Sequence, residues 1–476
     1  MTEPHERLLD EGSFVERDGD LASTDPLGYP DYPNALRRTQ AQTGAGESVI
    51  AGSGTIGGHE VEVAFFDFRF FGGSMGEVAG ERLARGLERA ASARRPFILR
   101  TATGGARMQE GMRSLVQMAK VVSARLALAD SGAPLVVILG HPTTGGVLAS
   151  LCALADVTFA AEGATVGFAG PRVAEAFTGR PLAPSSHTAA SALANGLVDA
   201  VVDDERAAVV RALEVLAPDD PLHLEPPAAA SGSAGVDEWE VVQTARAEDR
   251  FNPAVGLAKT LEVHIELQGD RSGTNDPAVV AAIGRIAGRR AVVIALDRRR
   301  SPAAAGFRKA RRAVEIASRL RLPVVTFVDT RGADPSGESE AAGVAWEIAR
   351  LFESLLSAPV PVVSIVTGEG GSGGALAFAT GDVLVIYEDS FFSVIGPEGA
   401  AQILWRDSER APEAARLLKV SAHDLHRLRI ADQVVAGSPD AESLRRVVAY
   451  HLDRVTSGGL SQEALADERR RRWRSR

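Results

Sequence analysis

PVVTFVDTRG at residues 323–332 and PVVSIVTGEGGSGG at residues 361–374 decide the fold. Each is a run of mostly β-branched residues that starts at a proline and ends in glycine. Short apolar runs without polar alternation suit strands buried on both faces, as in parallel sheets. Between them, Val344, Ile348, Leu351 and Leu355 recur at spacings of three and four, which predicts a helix across Gly343–Leu355. Strands alternating with helices through glycine turns predict an α/β fold with mostly parallel strands.

The same plan occurs earlier in the chain. PFILRTATGG opens at Pro96 and PLVVILGHPTTGG opens at Pro134. Gly105 lies nine residues after Pro96, as Gly332 does after Pro323. Gly146 lies twelve residues after Pro134, as Gly373 does after Pro361. Gly170-Pro171 then follows Gly146 at 24 residues, and Gly396-Pro397 follows Gly373 at 23. Three matched spacings in the same order point to a duplicated unit.

The bulk properties agree with two units. A chain of 476 residues, 45% apolar, is too long for one ordinary core and suffices for two. Residues 1–45 read as a flexible or surface-draped segment and 46–217 as the first domain. The Pro-, Ala-, Ser- and Gly-rich stretch 218–237 reads as a linker. Residues 238–460 form the second domain, and 461–476 a charged tail that reads as a solvated helix end. A net charge of −10 argues against a nucleic-acid partner. The single cysteine, Cys152, allows no disulfide framework within the chain. With no apolar leader in Met1–Asp20 and no uninterrupted apolar span, a cytoplasmic protein off the membrane is expected.

Gly145-Gly146 and Gly373-Gly374 stand just past apolar strands and lead into small-residue helices. Glycine allows a sharp turn and close approach to the main chain, and a helix start offers oriented N–H groups. Such turns could form oxyanion holes; glycines retained for tight packing are the alternative. G-x-G-x-x-G occurs at Gly52–Gly57 and at Gly368–Gly373, but the first precedes a strand and the second has no counterpart in the other half. GGSMG around Ser74 and GGSGG around Ser372 read as too glycine-rich for a hydrolase elbow. Neither a metal-ligand spacing nor a Ser/His/Asp set appears among the histidines, so no metal site is expected.

Longer motifs carry a family resemblance. GGSMG (72–76), TGGARMQEGMRSLVQMAK (103–120), HPTTGGVLASLCALADVTFAAEGATVGFAGPRV (141–173) and GLVD (196–199) resemble the β subunit of bacterial acetyl-CoA carboxylase carboxyltransferase. ELQGDR (266–271), GFRKARR (306–312), PVVTFVDTRGA (323–333), GEGGSGGALA (368–377), SVIGPEGAAQILWRD (393–407) and APEAA (411–415) resemble the α subunit. The likeness spans roughly residues 50–205 and 240–437 and implies a β-then-α fusion. It implies two tandem crotonase-like domains built from β-β-α repeats.

The resemblance also implies the chemistry. The first half would bind acyl-CoA, with the Gly145 and Gly146 amides on the thioester oxygen. The second would bind biotin on its carrier, with the Gly373, Gly374 and Ala375 amides on the ureido oxygen. Gly104, Gly105, Ala106, Arg107, Lys120, Gly167, Phe168, Gly170, Gly332, Gly396 and Pro397 would line the substrates, with Arg107 and Lys120 as candidate contacts for CoA phosphates. The partners implied are a biotin carboxyl carrier protein, a biotin carboxylase and further copies of this chain. The family's zinc-ribbon cysteines are absent here, and with them the expected nucleic-acid binding. At residues 330–336 the family's T-P-G-A-Y-P-G reads TRGADPS, so Arg331 and Asp334 bring charge where the family has Pro and Tyr. A malonyl-thioester decarboxylase of the same fold, a non-catalytic assembly subunit, and a hydratase or isomerase based on Glu110 are the competing readings.

Overall fold

The computed structural model describes residues 4–230, 237–457, 459 and 461–476. Two compact units divide after Glu214. Strands of the first are β1 (Val15–Arg17), β2 (Val49–Ile56), β3 (His59–Phe66), β4 (Phe97–Thr103), β5 (Leu135–Thr144), β6 (Val157–Ala161), β7 (Val166–Gly167) and β8 (Ala200–Val202). The second carries β9 (His264–Glu266), β10 (Val279–Ile286), β11 (Arg289–Leu296), β12 (Val324–Thr330), β13 (Val362–Gly371), β14 (Val383–Tyr387), β15 (Phe391–Ser393) and β16 (Gln433–Val435).

Among the described residues the two sheets have one topology. The order β1-β2-β3-β4-β5-β6-β8, with β7 on β5, recurs as β9-β10-β11-β12-β13-β14-β16, with β15 on β13. In each, the first three strands pair antiparallel and the rest pair parallel. The duplication read from three glycine spacings therefore extends through all eight strands. The fold is two tandem crotonase-like units.

The quoted runs are central strands, and β12 and β13 are buried at every position. The expected helix spans Val344–Ser357 and buries Val344, Leu351 and Leu355, with Ile348 half-buried. Helix Glu77–Ala93 packs against Gln117–Ser131 in the first unit, and Ala304–Leu320 against Val344–Ser357 in the second.

Three segments differ from a loose-end picture. Before Ser48, β1 extends the first sheet at its edge, and helix Tyr32–Thr43 buries Tyr32 and Leu36 beside Phe70. Of the expected linker, residues 231–236 lie outside the described residues. Before them the chain clings to the second sheet: the Asp220 and Leu222 N–H groups donate to the Gly288 and Ala287 carbonyls, and Ala229 bridges Val435. These contacts satisfy main-chain groups that a free linker would leave to water. The basic tail is also more than a solvated helix end. Arg469 is fully buried and donates to the Leu355, Ala358 and Val360 carbonyls and to Asp382. One carboxylate, Asp382, and three main-chain carbonyls drew in a cation that composition alone placed in water. No helix among the described residues is long and apolar enough to cross a membrane.

Candidate functional site

Each unit builds the same junction where its two central parallel strands end. In the first, β4 ends at Thr103 and β5 at Thr144, and the two loops meet. Gly105 has φ +115°, and a Cβ there would lie 3.2 Å from the Gly145 Cα and 3.5 Å from the Gly146 N. Gly145 has φ +70°, and its own Cβ would lie 2.8 Å from the Gly105 Cα. Only glycine permits both the left-handed backbone and the close approach.

The second unit repeats this. Gly332 has φ +127°, and Ser372, the counterpart of Gly145, has φ +58°. A Cβ on Gly371 would lie 2.0 Å from the Arg331 carbonyl oxygen, and one on Gly374 would lie 2.5 Å from the Ala333 N. By contrast, nothing lies within 4 Å of a Cβ on Gly373. Gly373 therefore opens onto space, while its neighbours are fixed by contact.

Counting the backbone donors revises the expected set. The Gly104 N–H donates to the Gly72 carbonyl (2.9 Å), Gly105 to Thr103 Oγ1 (3.0 Å) and Arg107 to the Met75 carbonyl (3.0 Å). Gly145 donates to the Phe168 carbonyl at 2.8 Å, so its single N–H is committed and cannot serve an oxyanion. Among the described residues, no partner is found for the Ala106 or Gly146 N–H. In the second unit the Gly332 N–H donates to Thr330 Oγ1 (3.2 Å), as Gly105 does. Helix Ser372–Leu376 starts from Gly371, so the regular pattern gives Ala375 the first intrahelical bond and leaves Gly373 and Gly374 unbonded. Among the described residues no partner is found for the Ala333 N–H either, so Gly373, Gly374 and Ala333 are donors available at the second junction. Sequence reading missed Ala333, although the repeat spacing sets it opposite Ala106. The helices that follow are single turns, Gly145–Leu148 and Ser372–Leu376, too short for an appreciable macrodipole. Any stabilisation falls to the individual N–H groups.

The expected substrate-lining residues divide. Gly167 ends β7 beside the first turn, where a Cβ would lie 2.3 Å from His187 Cδ2. Phe168 is 69% exposed. Gly170 and Gly396 cap helices Pro171–Thr178 and Pro397–Trp405, with Pro397 at the first helical position. Lys120 is partly exposed and pairs with Glu81 at 2.7 Å.

Arg107 is no phosphate contact, because its side chain is 0% exposed. Its guanidinium bonds Glu47 (Nη1–Oε2 2.9 Å), Glu110 (3.2 Å), Ser48 Oγ (3.1 Å) and the Ser74 carbonyl (2.7 Å). It lies 5.3 and 5.6 Å from the Phe70 and Phe71 ring centres. Burial opposes charge on Glu47, but the attraction of Arg107 and its hydrogen bonds outweigh burial and hold that carboxyl below its usual value. Glu110 is equally engaged, accepting from Tyr32 Oη (2.7 Å) and from the Glu77 N–H (2.5 Å). A hydratase or isomerase loses the carboxylate expected as its base in the first unit. The cage ties the N-terminal segment, through Ser23, Tyr32 and Glu47, to the loop that carries Ala106.

Ser372 does occupy a strained strand-to-helix turn, so surplus glycine was the wrong reason to set a hydrolase aside. What is missing is the base: among the described residues no histidine hydrogen-bonds Ser372. Cys152 is buried, and burial pushes its thiol up to about 12, which makes it inert at neutral pH.

Comparison with known proteins agrees with this architecture. Residues 229–475 match the family model described as "Acetyl co-enzyme A carboxylase carboxyltransferase-like". The acetyl-coenzyme A carboxylase carboxyl transferase subunits beta/alpha of Salinispora arenicola is 40% identical, over 98% of this chain and 89% of that protein. Its counterpart in Clostridium tetani is 36% identical over 93% of this chain and 80% of that protein. Among solved structures, the transcarboxylase 12S hexamer core with methylmalonyl-coenzyme A and methylmalonic acid bound superposes with a TM-score of 0.77. It covers 95% of this chain and 88% of its own at 24% identity, a likeness of fold. A repeated sheet, a repeated donor turn and relatives that run β-then-α through nearly the whole chain have one reading: this chain belongs to the acetyl-CoA carboxylase carboxyltransferase family, with β-like and α-like halves fused.

Proposed function

We propose that this chain transfers a carboxyl group from carboxybiotin, borne on a carrier protein, to the α-carbon of acetyl-CoA or a related acyl-CoA. The observation that carries the reading is the doubled junction. Each unit offers N–H donors at a glycine turn, while the nearby carboxylates are held in ion pairs, Glu110 by Arg107 in the first unit and Asp329 and Glu369 by Arg250 and Arg246 in the second. In the first unit, Ala106 and Gly146 would hold the thioester oxygen as negative charge builds on the enolate. In the second, Gly373, Gly374 and Ala333 would hold the ureido oxygen, in the space that Gly373 leaves open. Carboxybiotin supplies CO2 and, once freed, a ureido nitrogen that accepts the α-proton. The main chain therefore needs only to position two oxygens and to exclude water.

The purified chain is expected to decarboxylate malonyl-CoA or a homologue when free biotin is present. Absence of CO2 release from every acyl-CoA tried, with biotin, would rule the reading out. Release that is indifferent to biotin would instead favour a thioester decarboxylase.

Exposed apolar side chains lie after β7 and β15, on or just before the helices that follow them: Phe168, Val173 and Phe177 in the first unit, and Val394, Ile403 and Leu404 in the second. Phe177 is 92% exposed. Such patches support sites completed by a second copy of the chain. Light scattering should therefore give at least twice the 50.0 kDa chain mass. A fully active particle of a single chain would exclude the shared site.

A further inference from the structure

The segment ahead of the first sheet is fastened to helix Glu77–Ala93 and to the Arg107 cage. The Asp18 carboxylate takes Arg85 (3.1 Å) and Arg89 (2.5 Å) of that helix. Arg82 of the same helix is buried and donates to the Gly19 and Leu21 carbonyls, at 3.2 and 2.7 Å. Farther along, the Ser23 hydroxyl accepts from Arg107 Nη1 at 2.9 Å. Tyr32 completes the attachment. It is buried, its ring stands edge-on to Phe71, and its hydroxyl donates to Glu110 Oε1 at 2.7 Å. Burial outweighs the pull of Arg107 and raises this phenol above its ordinary value, so the hydroxyl keeps its proton and donates.

Glu110 carries this contact to the first glycine turn. Its Oε2 accepts from the Glu77 N–H at 2.5 Å, and a Cβ on Gly76 would lie 2.5 Å from its Oε1. Met75, the next residue back, brackets Ala106. The Met75 N–H donates to the Gly105 carbonyl (2.8 Å), and the Arg107 N–H donates to the Met75 carbonyl (3.0 Å). Those two bonds set the direction of the Ala106 N–H between them. A donor aimed at a developing oxyanion loses much of its effect when displaced by a fraction of an ångström.

We propose that Tyr32 is a positioning residue for carboxyl transfer: its hydroxyl fixes Glu110, and Glu110, through the Met75–Glu77 backbone, fixes the aim of the Ala106 N–H. This rests on the functional reading above, in which that N–H meets the thioester oxygen. Tyr32 acts through these groups and exchanges no proton in the reaction.

Tyr32→Phe tests it, because the ring keeps its packing beside Leu36 and Phe70 and only the hydroxyl is lost. The melt should shift little. Hydrogen exchange at the Met75 and Arg107 amides should quicken about tenfold, while β4 and β5 keep their protection. With malonyl-CoA and free biotin, kcat should fall about tenfold at an unchanged KM, since a misaimed donor weakens the transition state and spares substrate binding. Unchanged exchange at the two amides overturns the proposal, and so does an unchanged kcat or a loss confined to KM, whether or not further variants fold. Glu110→Gln should lower kcat as well, and adding Tyr32→Phe to it should cost little more. Losses that simply add would overturn the route through Glu110. A parent with no turnover on any acyl-CoA removes the carboxyl-transfer reading instead, and the exchange result alone then decides whether Tyr32 holds the Ala106 turn.

Discussion

Arg107→Ala is expected to destabilise the first unit by about 3–5 kcal/mol, because removing one partner of a buried ion pair strands the others. Glu47 and Glu110 would be left at near-zero exposure without the guanidinium that bonds both. At roughly 2–4 °C per kcal/mol for a unit of this size, the melting temperature should fall on the order of 10 °C. The loop that carries Ala106 should loosen too, so activity should be lost before the unit unfolds. Adding Glu47→Gln should restore part of the loss, since it removes one stranded charge. The pair also makes a prediction about acid. Glu47 titrates lower in the folded state than its usual 4.5, so its contribution is present above that value. It is lost as pH falls through the folded value. Thermal melts from neutral to acid pH on parent, single and double variants provide the measurement. A single variant that melts like the parent would show the cage to be dispensable.

Gly373→Val separates chemistry from packing. No atom lies within 4 Å of a Cβ at Gly373, so the substitution should leave the melt unchanged. Its branched side chain would instead fill the space from which a ureido oxygen reaches the Gly373 and Gly374 N–H groups. Losing access to one oxyanion donor typically costs ~10²–10³ in rate. Biotin-dependent turnover should fall by that order, while acyl-CoA binding to the first unit is spared. Gly146→Val should show the complementary loss, in acyl-CoA turnover. It carries a packing cost as well, because its Cβ would meet Met118 Sδ at 2.8 Å. A normal melt with full turnover in Gly373→Val would make that glycine irrelevant to the chemistry.

Both predictions show where sequence reading reached and where it stopped. The duplicated unit was legible because a parallel strand buried on both faces has little choice of residue, and a turn pressed against another backbone has less. Proline, β-branched run and glycine therefore recur at fixed spacings in Pro96–Gly105 and Pro323–Gly332. Those spacings determined two α/β units, their central strands and the glycine turns, and the longer motifs determined the family. Which N–H groups remain free was decided only by the tertiary structure. Gly145 looks identical to Gly146 in sequence, yet its N–H is taken by Phe168, a residue that β5–β7 pairing brings alongside. Arg107 reads as a cation beside a substrate loop, and its burial depends on Glu47, 60 positions away in the chain. Local sequence fixes a backbone's direction and the face it buries. The partner of each charge and each N–H is fixed by segments that meet only when the sheets assemble.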